Sequence, residues 1–160
     1  MYRIGIGYDI HKKSSKRKLI LGGILISNKN GLVGHSDADI VIHTICDSIL
    51  GALNKGDIGE HFSNKNPKYR NAKSSIFLKK IKKIMEKNNF SIVNIDMTII
   101  CEKPKLTKFK SKIKKNISKI LDIKQNNVSV KATTSEGLGE IGNDNAIACK
   151  SVVLLRNEEN

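Results

Sequence analysis

Asp9, His11 and His43 are the residues of this sequence whose types and spacing best suit a catalytic zinc. Asp9 and His11 are two apart, which on extended backbone turns both side chains to the same side. Zinc in catalytic sites takes three protein ligands from nitrogen, sulfur or oxygen and keeps a fourth position open. A carboxylate and an imidazole at a strand end, with one imidazole on a helix, meet that requirement. His43 lies in HSDADIVIHTICD, residues 35 to 47, which packs two histidines, three aspartates and a serine ahead of and into an apolar run. At 3.6 residues per turn Asp39, His43 and Asp47 share one helix face, and Asp47 is placed to orient the His43 imidazole. The competing reading of this stretch is a polar helix edge with Ser36 and Asp39 as a capping box.

A second constellation is KATTSEGLG, residues 131 to 139. A strand ends at Thr133–Thr134, and hydroxyls with free backbone N–H groups at such a junction suit phosphate oxygens. Glu136, in what reads as a helical turn, could hold a harder cation such as Mg²⁺, which prefers a carboxylate together with substrate phosphates. The alternative is again a capping box, from Thr133 to Glu136.

These residues need elements to position them. Residues 2 to 8, YRIGIGY, alternate as a strand, and Gly5 and Gly7 would let another backbone or a ligand come close. A basic loop at 12 to 18 leads to LILGGILI, a hairpin broken at Gly22–Gly23. The periodicity predicts a helix from about Asp37 to Leu53, with Ile42, Ile45, Cys46, Ile49 and Leu53 facing a core. Residues 56 to 69 form a long irregular loop, of a length that is more often functional than idle. A second helix spans 74 to 87, with Phe77, Leu78, Ile81, Ile84 and Met85 on one face. A strand follows from Val93 to Cys101, then Pro104, and a third helix buries Leu106, Phe109, Ile113, Ile117, Ile120 and Leu121. Asn127 to Thr133 and Ala148 to Leu155 read as two further strands, joined by a glycine-rich connection at 137 to 142. The pattern predicts a single α+β domain over residues 1–160: two layers, with helices on one face of a mixed β-sheet.

The net charge is +14 and the pI near 9.8, a balance that suits nucleic acid or phosphorylated substrates. The lysines, however, sit on the helix faces that the apolar stripes leave free, without interleaved aromatics to stack bases. Specific nucleic-acid binding is therefore not expected. No apolar run approaches the ~20 residues that cross a bilayer, and the N-terminus has no signal-peptide core. Cys46, Cys101 and Cys149 are far apart in apolar context, which suits free thiols in a reducing compartment.

GYDIH at 7 to 11, GHSDADIVIH at 34 to 43, GDIGEHF at 56 to 62 and KATTSEGLG at 131 to 139 together resemble, in order and spacing, one enzyme family. It is that of the 2-C-methyl-D-erythritol 2,4-cyclodiphosphate synthases of non-mevalonate isoprenoid precursor biosynthesis, and the resemblance covers essentially the whole chain. It implies a homotrimer with sheets packed around the threefold axis and active sites between subunits. It implies a lyase reaction in which the 2-phosphate of a cytidine-diphosphate-linked methylerythritol attacks the β-phosphate, forming a cyclic diphosphate and releasing CMP. Asp9, His11 and His43 match the ligands of one Zn²⁺ per active site, and Glu136 that of a Mg²⁺ or Mn²⁺. His35 and Thr134 match catalytic positions that stabilise the transition state, with Ser36 and Thr133 beside them at the phosphates, next to Ala132. Asp57, Ile58 and Gly59, with Phe62, Ser63, Asn64, Lys65 and Asn66, match the methylerythritol-binding region. Cys101, Pro104, Lys105, Leu106 and Thr107 match the wall of the cytidine pocket, which a neighbouring subunit contributes. The chain departs from the family at Glu140 and Asn143, where an aromatic and an arginine are frequent, and at Asn64 and Asn66, where acidic residues are. An enzyme of this kind suits a bacterial cytoplasm, or a plastid-type organelle once a targeting segment is removed. The other readings are a zinc-dependent nucleotide phosphohydrolase and, in a different class, a basic nucleic-acid-binding module.

Overall fold

Two glycines in the first strand decide how closely the main helix can dock. A computed structural model of the protein describes residues 1–63 and 65–158. Its first strand, β1 (Tyr2–Ser14), turns Gly5 and Gly7 to the buried side. A Cβ on Gly5 would stand 1.8 Å from the carbonyl oxygen of Ser48, and one on Gly7 2.0 Å from that of Thr44. Both carbonyls belong to α1 (Ile40–Ala52), so helix backbone rests directly on strand backbone. Ten of the helix's residues are buried, among them Ile42, Ile45, Ile49 and Leu50. Each such side chain contributes roughly 1.5–3 kcal/mol when taken out of water. The positions left partly open, His43, Asp47 and Gly51, recur every fourth residue along a single edge.

The remaining elements are β2 (Leu19–Leu21), β3 (Ile24–Ser27), β4 (Gly31–Leu32), α2 (Ile58–His61), α3 (Ser74–Lys87), β5 (Phe90–Ile100), α4 (Thr107–Leu121), β6 (Val128–Thr133), α5 (Gly139–Gly142) and β7 (Ala146–Asn157). The main sheet runs β4–β1–β7–β5–β6, and β2–β3 form a separate hairpin. The β5–β6 pair is parallel and the pairs β1–β7 and β5–β7 are antiparallel, so the sheet is mixed. Helices α1, α3 and α4 cover one face, over a core that includes Ile81, Ile95, Met97, Ile113 and Ile147. The opposite face of β1 stays bare: Tyr2, Ile4, Ile6, Tyr8 and Ile10 are exposed, Ile4 by 72%. The α+β class and the mixed sheet are as the sequence predicts.

Several boundaries differ: β7 runs from Ala146 to Asn157, β6 starts at Val128, and the segment read as an irregular loop at 56 to 69 carries α2. Strand β1 runs on through the basic segment to Ser14, because its backbone pairs with β7 and then β4, so Asp9 and His11 sit within the strand and not at its end. Strand β5 starts at Phe90 and absorbs an irregularity at Val93. Helix α1 starts at Ile40 and not at Asp37, because Ala38 adopts a left-handed φ of 57°. Asp39 is the N-cap, accepting from Ile42 N–H at 3.2 Å, while its two oxygens also accept from Gly22 and Gly23 N–H at 2.8 and 2.6 Å. Burial and the neighbouring Asp37 raise the Asp39 carboxyl to about 6, against the pull of these backbone donors. One carboxylate thus ties the β2–β3 turn to the start of the helix.

The Gly7→Ala variant is expected to force α1 off the strand. The cost should be about 3 kcal/mol, a fall in Tm on the order of 10 °C, measured by calorimetry.

Candidate metal centre

The close helix–strand contact brings His43 over the two strand residues. Asp9 Oδ2 lies 3.1 Å from His11 Nε2 and 3.1 Å from His43 Nδ1. The three donor atoms are all within 4.8 Å of one another, and among the described residues this is the one group of its kind. Burial works against ionisation of Asp9, yet the hydrogen bonds and charge of His11 and His43 outweigh it and hold the carboxyl well below the usual range. One carboxylate oxygen and two imidazole nitrogens converging in a half-buried setting fit a divalent cation with nitrogen and oxygen preference.

The far side of His43 is held by residues other than the one expected. Its Nε2 lies 3.0 Å from Ser74 Oγ and 3.3 Å from Ser36 Oγ. Ser74 is fully buried at the start of α3, and its hydroxyl donates to Asp37 Oδ1 in a short hydrogen bond. Asp37 also accepts from Ser74 N–H at 3.1 Å, so it caps α3 from a distant loop. With its proton committed to Asp37, Ser74 Oγ accepts from His43 Nε2–H. Nδ1 meets Asp9 Oδ2, donating to it when protonated, and would offer its lone pair to a cation bound there. Asp47 does not orient His43. Its Oδ1 accepts from Ile58 N–H at 2.8 Å, and so it anchors the start of α2. Burial leads in raising the Asp47 carboxyl, and the Ile58 N–H only partly offsets it.

A cavity of about 280 Å³ opens over this cluster, lined by Asp9, His11, His35, Ser36, His43, Asp47, Ile58, Gly59 and Phe62 from the sequence expectations. Tyr8, Val33, Gly34, Tyr69 and Phe77 complete it. Phe62 stacks on Phe77 at 4.7 Å and meets Tyr69 edge-on at 5.5 Å, so it anchors the loop as well as lining the cavity. His35 Nε2 is buried without a hydrogen-bond partner among the described residues, leaving a polar atom at the cavity wall. Asp57 caps α2 through Glu60 N–H at 3.0 Å, Ser63 Oγ accepts from Lys65 N–H, and Asn66 caps the turn at Pro67–Tyr69. None of these four lines the cavity. Asn64 lies outside the described residues.

The other expected residues gather elsewhere. Cys101, Pro104, Lys105, Leu106, Thr107, Ala132, Thr133 and Thr134 line a second cavity of about 150 Å³, together with Glu102 and Lys110. It shares no lining residue with the first. His35 and Thr134, and Ser36 and Thr133, are therefore not brought together within one chain. Glu136 stands on a left-handed residue, φ 51°, and not in a helical turn; its Oε1 accepts from Thr134 Oγ1 at 2.8 Å. The paired side chains of this turn are thus Thr134 and Glu136, while the Thr133 hydroxyl donates to the Thr134 carbonyl. Glu102 Oε1 accepts from Ser135 N–H at 2.8 Å, joining the two walls of this second cavity. Ser74, Tyr69 and Glu102 carried no signal in the sequence, since each is defined by partners far along the chain.

A mixed sheet and a covering helix that jointly present a carboxylate and two imidazoles to a cavity define an α+β enzyme with a candidate metal site. Residues 2–156 match the YgbB family. A Clostridium novyi protein named 2-C-methyl-D-erythritol 2,4-cyclodiphosphate synthase is 49% identical over 153 residues, covering 96% of this chain and 98% of its own. A synthase of the same name from Clostridium perfringens is 48% identical with the same coverage. Among solved structures, a Plasmodium falciparum IspF–CDP complex is 41% identical, covers 99% of this chain and 97% of its own, and superposes with a TM-score of 0.87. The bifunctional IspDF of Campylobacter jejuni is 38% identical with a TM-score of 0.95; the match covers 98% of this chain and 42% of that longer one. The chain belongs to the YgbB family, that of the 2-C-methyl-D-erythritol 2,4-cyclodiphosphate synthases, as its motifs imply.

Ser74→Ala removes one hydroxyl and leaves the Asp37 cap on the α3 backbone. Zinc affinity, measured by chelator competition, is expected to fall about 10–100-fold, and Ser74→Thr to recover part of it.

Proposed function

We propose that the protein cyclises 4-diphosphocytidyl-2-C-methyl-D-erythritol 2-phosphate to 2-C-methyl-D-erythritol 2,4-cyclodiphosphate with release of CMP, in isoprenoid precursor biosynthesis by the non-mevalonate route. The observation that carries this reading is the Asp9–His11–His43 cluster at the base of a cavity, in a chain of this family. In the reaction an oxygen of the substrate's 2-phosphate bonds to the β-phosphorus. The bond from that phosphorus to the bridging oxygen breaks, and CMP leaves with the electron pair. Because the nucleophile belongs to the substrate, the protein has to align two phosphates and offset their charge.

Asp9, His11 and His43 would hold Zn²⁺, which supplies positive charge against the reacting phosphate oxygens. Glu136 would hold Mg²⁺ or Mn²⁺ together with the diphosphate. His35 and Ser36 face the phosphates from one cavity, and Thr133 and Thr134 from the other. Ile58, Gly59 and Phe62, which line the first cavity, would accommodate the methylerythritol end, with Asp57, Ser63, Asn64, Lys65 and Asn66 assigned to it by the family's motif alone. Ala132 and the Cys101–Thr107 segment accommodate the cytidine.

The two cavities share no lining residue, which supports a substrate lying between a first cavity on one chain and a second on its neighbour. A homotrimer with three such junctions is our reading of the assembly. The bare apolar ridge of β1, Tyr2 to Ile10, supports it as the surface turned to the threefold axis. Residues 1–160 then form a single cyclodiphosphate synthase domain. No helix among the described residues is long and apolar enough to cross a membrane, and Cys46, Cys101 and Cys149 are free and buried, as suits a reducing compartment.

Incubation with the cytidine-linked substrate should yield CMP and a cyclic diphosphate by phosphorus NMR; a linear bisphosphate would establish hydrolysis instead. His43→Ala should lose zinc and turnover while sedimenting as the wild type does. Stoichiometric zinc with normal CMP release in that variant would overturn the metal assignment. Glu136→Gln should shift the Mg²⁺ or Mn²⁺ titration of activity and leave zinc content unchanged.

A further inference from the structure

His35 and Ser36 stand on a stretch, residues 33 to 39, that has no regular secondary structure between β4 and α1. Irregular backbone offers no ladder to hold a side chain in place, yet these two must meet a phosphate with sub-ångström tolerance. Their backbone is held from outside. The Arg17 guanidinium donates through one nitrogen to the Gly34 carbonyl at 2.7 Å and through the other to the Ser36 carbonyl at 2.5 Å. The carbonyl between them, that of His35, accepts from Asn71 N–H at 2.8 Å. Three successive carbonyls are therefore all occupied, and two of them by one planar group.

Arg17 is itself fixed. Its carbonyl accepts from Gly31 N–H at 2.8 Å, and Leu19, two residues on, is fully buried. A guanidinium presents parallel N–H donors in a rigid fork and stays charged, so each bond to a carbonyl is charge-assisted. Carbonyls on either side of one residue match that fork. A lysine ammonium, a point donor on a flexible stem, cannot hold both in one plane. The same grip sets Ser36, whose hydroxyl reaches His43 Nε2 at 3.3 Å, and His35, whose Nε2 stands at the cavity wall.

We infer that Arg17, which does not line the metal cavity, is a positioning residue for the reaction: its fork across the Gly34 and Ser36 carbonyls sets the His35 and Ser36 side chains toward the phosphates. This rests on the reading of His35 as a catalytic residue given above. Asp9, His11 and the nucleotide cavity do not touch the forked segment, and His43, which meets Ser36, is also held by Asp9 and Ser74, so loss of the fork should act chiefly on turnover.

The test compares Arg17→Lys, Arg17→Ala and His35→Ala with the wild-type protein. For each, kcat and KM for CMP release, zinc per chain, Tm and the dissociation constant for CDP are measured. Both Arg17 variants are expected to lose about tenfold or more in kcat, with zinc content and CDP affinity within about twofold of wild type. Methylguanidinium added to Arg17→Ala should restore part of kcat and do nothing for His35→Ala. If Arg17→Ala does not fold, Arg17→Lys decides. Wild-type kcat in Arg17→Lys beside an inactive His35→Ala would overturn the inference alone. So would zinc content or CDP affinity falling in step with kcat. Full turnover by His35→Ala would overturn the reading of the site, and the inference with it.

Discussion

The contact between the backbone of α1 and the backbone of β1 is the constraint on which the rest of this molecule depends. Gly5 and Gly7 admit the Ser48 and Thr44 carbonyls where any side chain would exclude them. Only at that separation does His43 come within 3.1 Å of Asp9. The cluster is thus a by-product of packing: helix and strand would each be unremarkable alone, and their spacing makes the site. Core side chains buried along α1 supply the driving force, and the Asp39 cap fixes where the helix begins.

Much of this could be read from residue types. Asp9, His11 and His43 stood out because two of them alternate on a strand and the third punctuates an apolar helix. The glycines at 5 and 7 announced a close approach without naming the partner. Other features were hidden because they are set by residues remote in the chain. Ser74 reads as an ordinary helix-start serine, and only folding places it between His43 and Asp37. Strand β1 continues through Lys12 and Lys13 because β7 and β4 supply ladder partners there, which local polarity opposes. Helix α1 begins late because a left-handed Ala38 precedes it, a cost that periodicity does not register. Asp47 was misplaced for a simpler reason: lying one turn beyond His43 put it on the right face, but the nearby Ile58 N–H claimed it.

The site is also built in tiers of differing stiffness. The Asp9–His11–His43 cluster joins a paired strand to a buried helix, whereas His35 and Ser36 ride on irregular backbone that depends on Arg17 and Asn71. The Thr134–Glu136 turn is exposed and held chiefly by its own hydroxyl–carboxylate bond and by Glu102. Charge neutralisation is assigned to the stiff tier and adaptation to the ligand to the looser ones, an order suited to a reaction whose nucleophile arrives with the substrate.

Strand β1 does two jobs by alternation. Odd-numbered positions carry Gly5, Gly7, Asp9 and His11 inward, and even-numbered positions carry Ile4, Ile6, Tyr8 and Ile10 outward. A slip of one residue against β7 would exchange the two sets at once, driving apolar side chains into the helix and turning the carboxylate and imidazole out to the bare face. Strand register therefore couples surface to site: a chain that presents its apolar ridge correctly has, by the same geometry, already turned Asp9 and His11 toward α1.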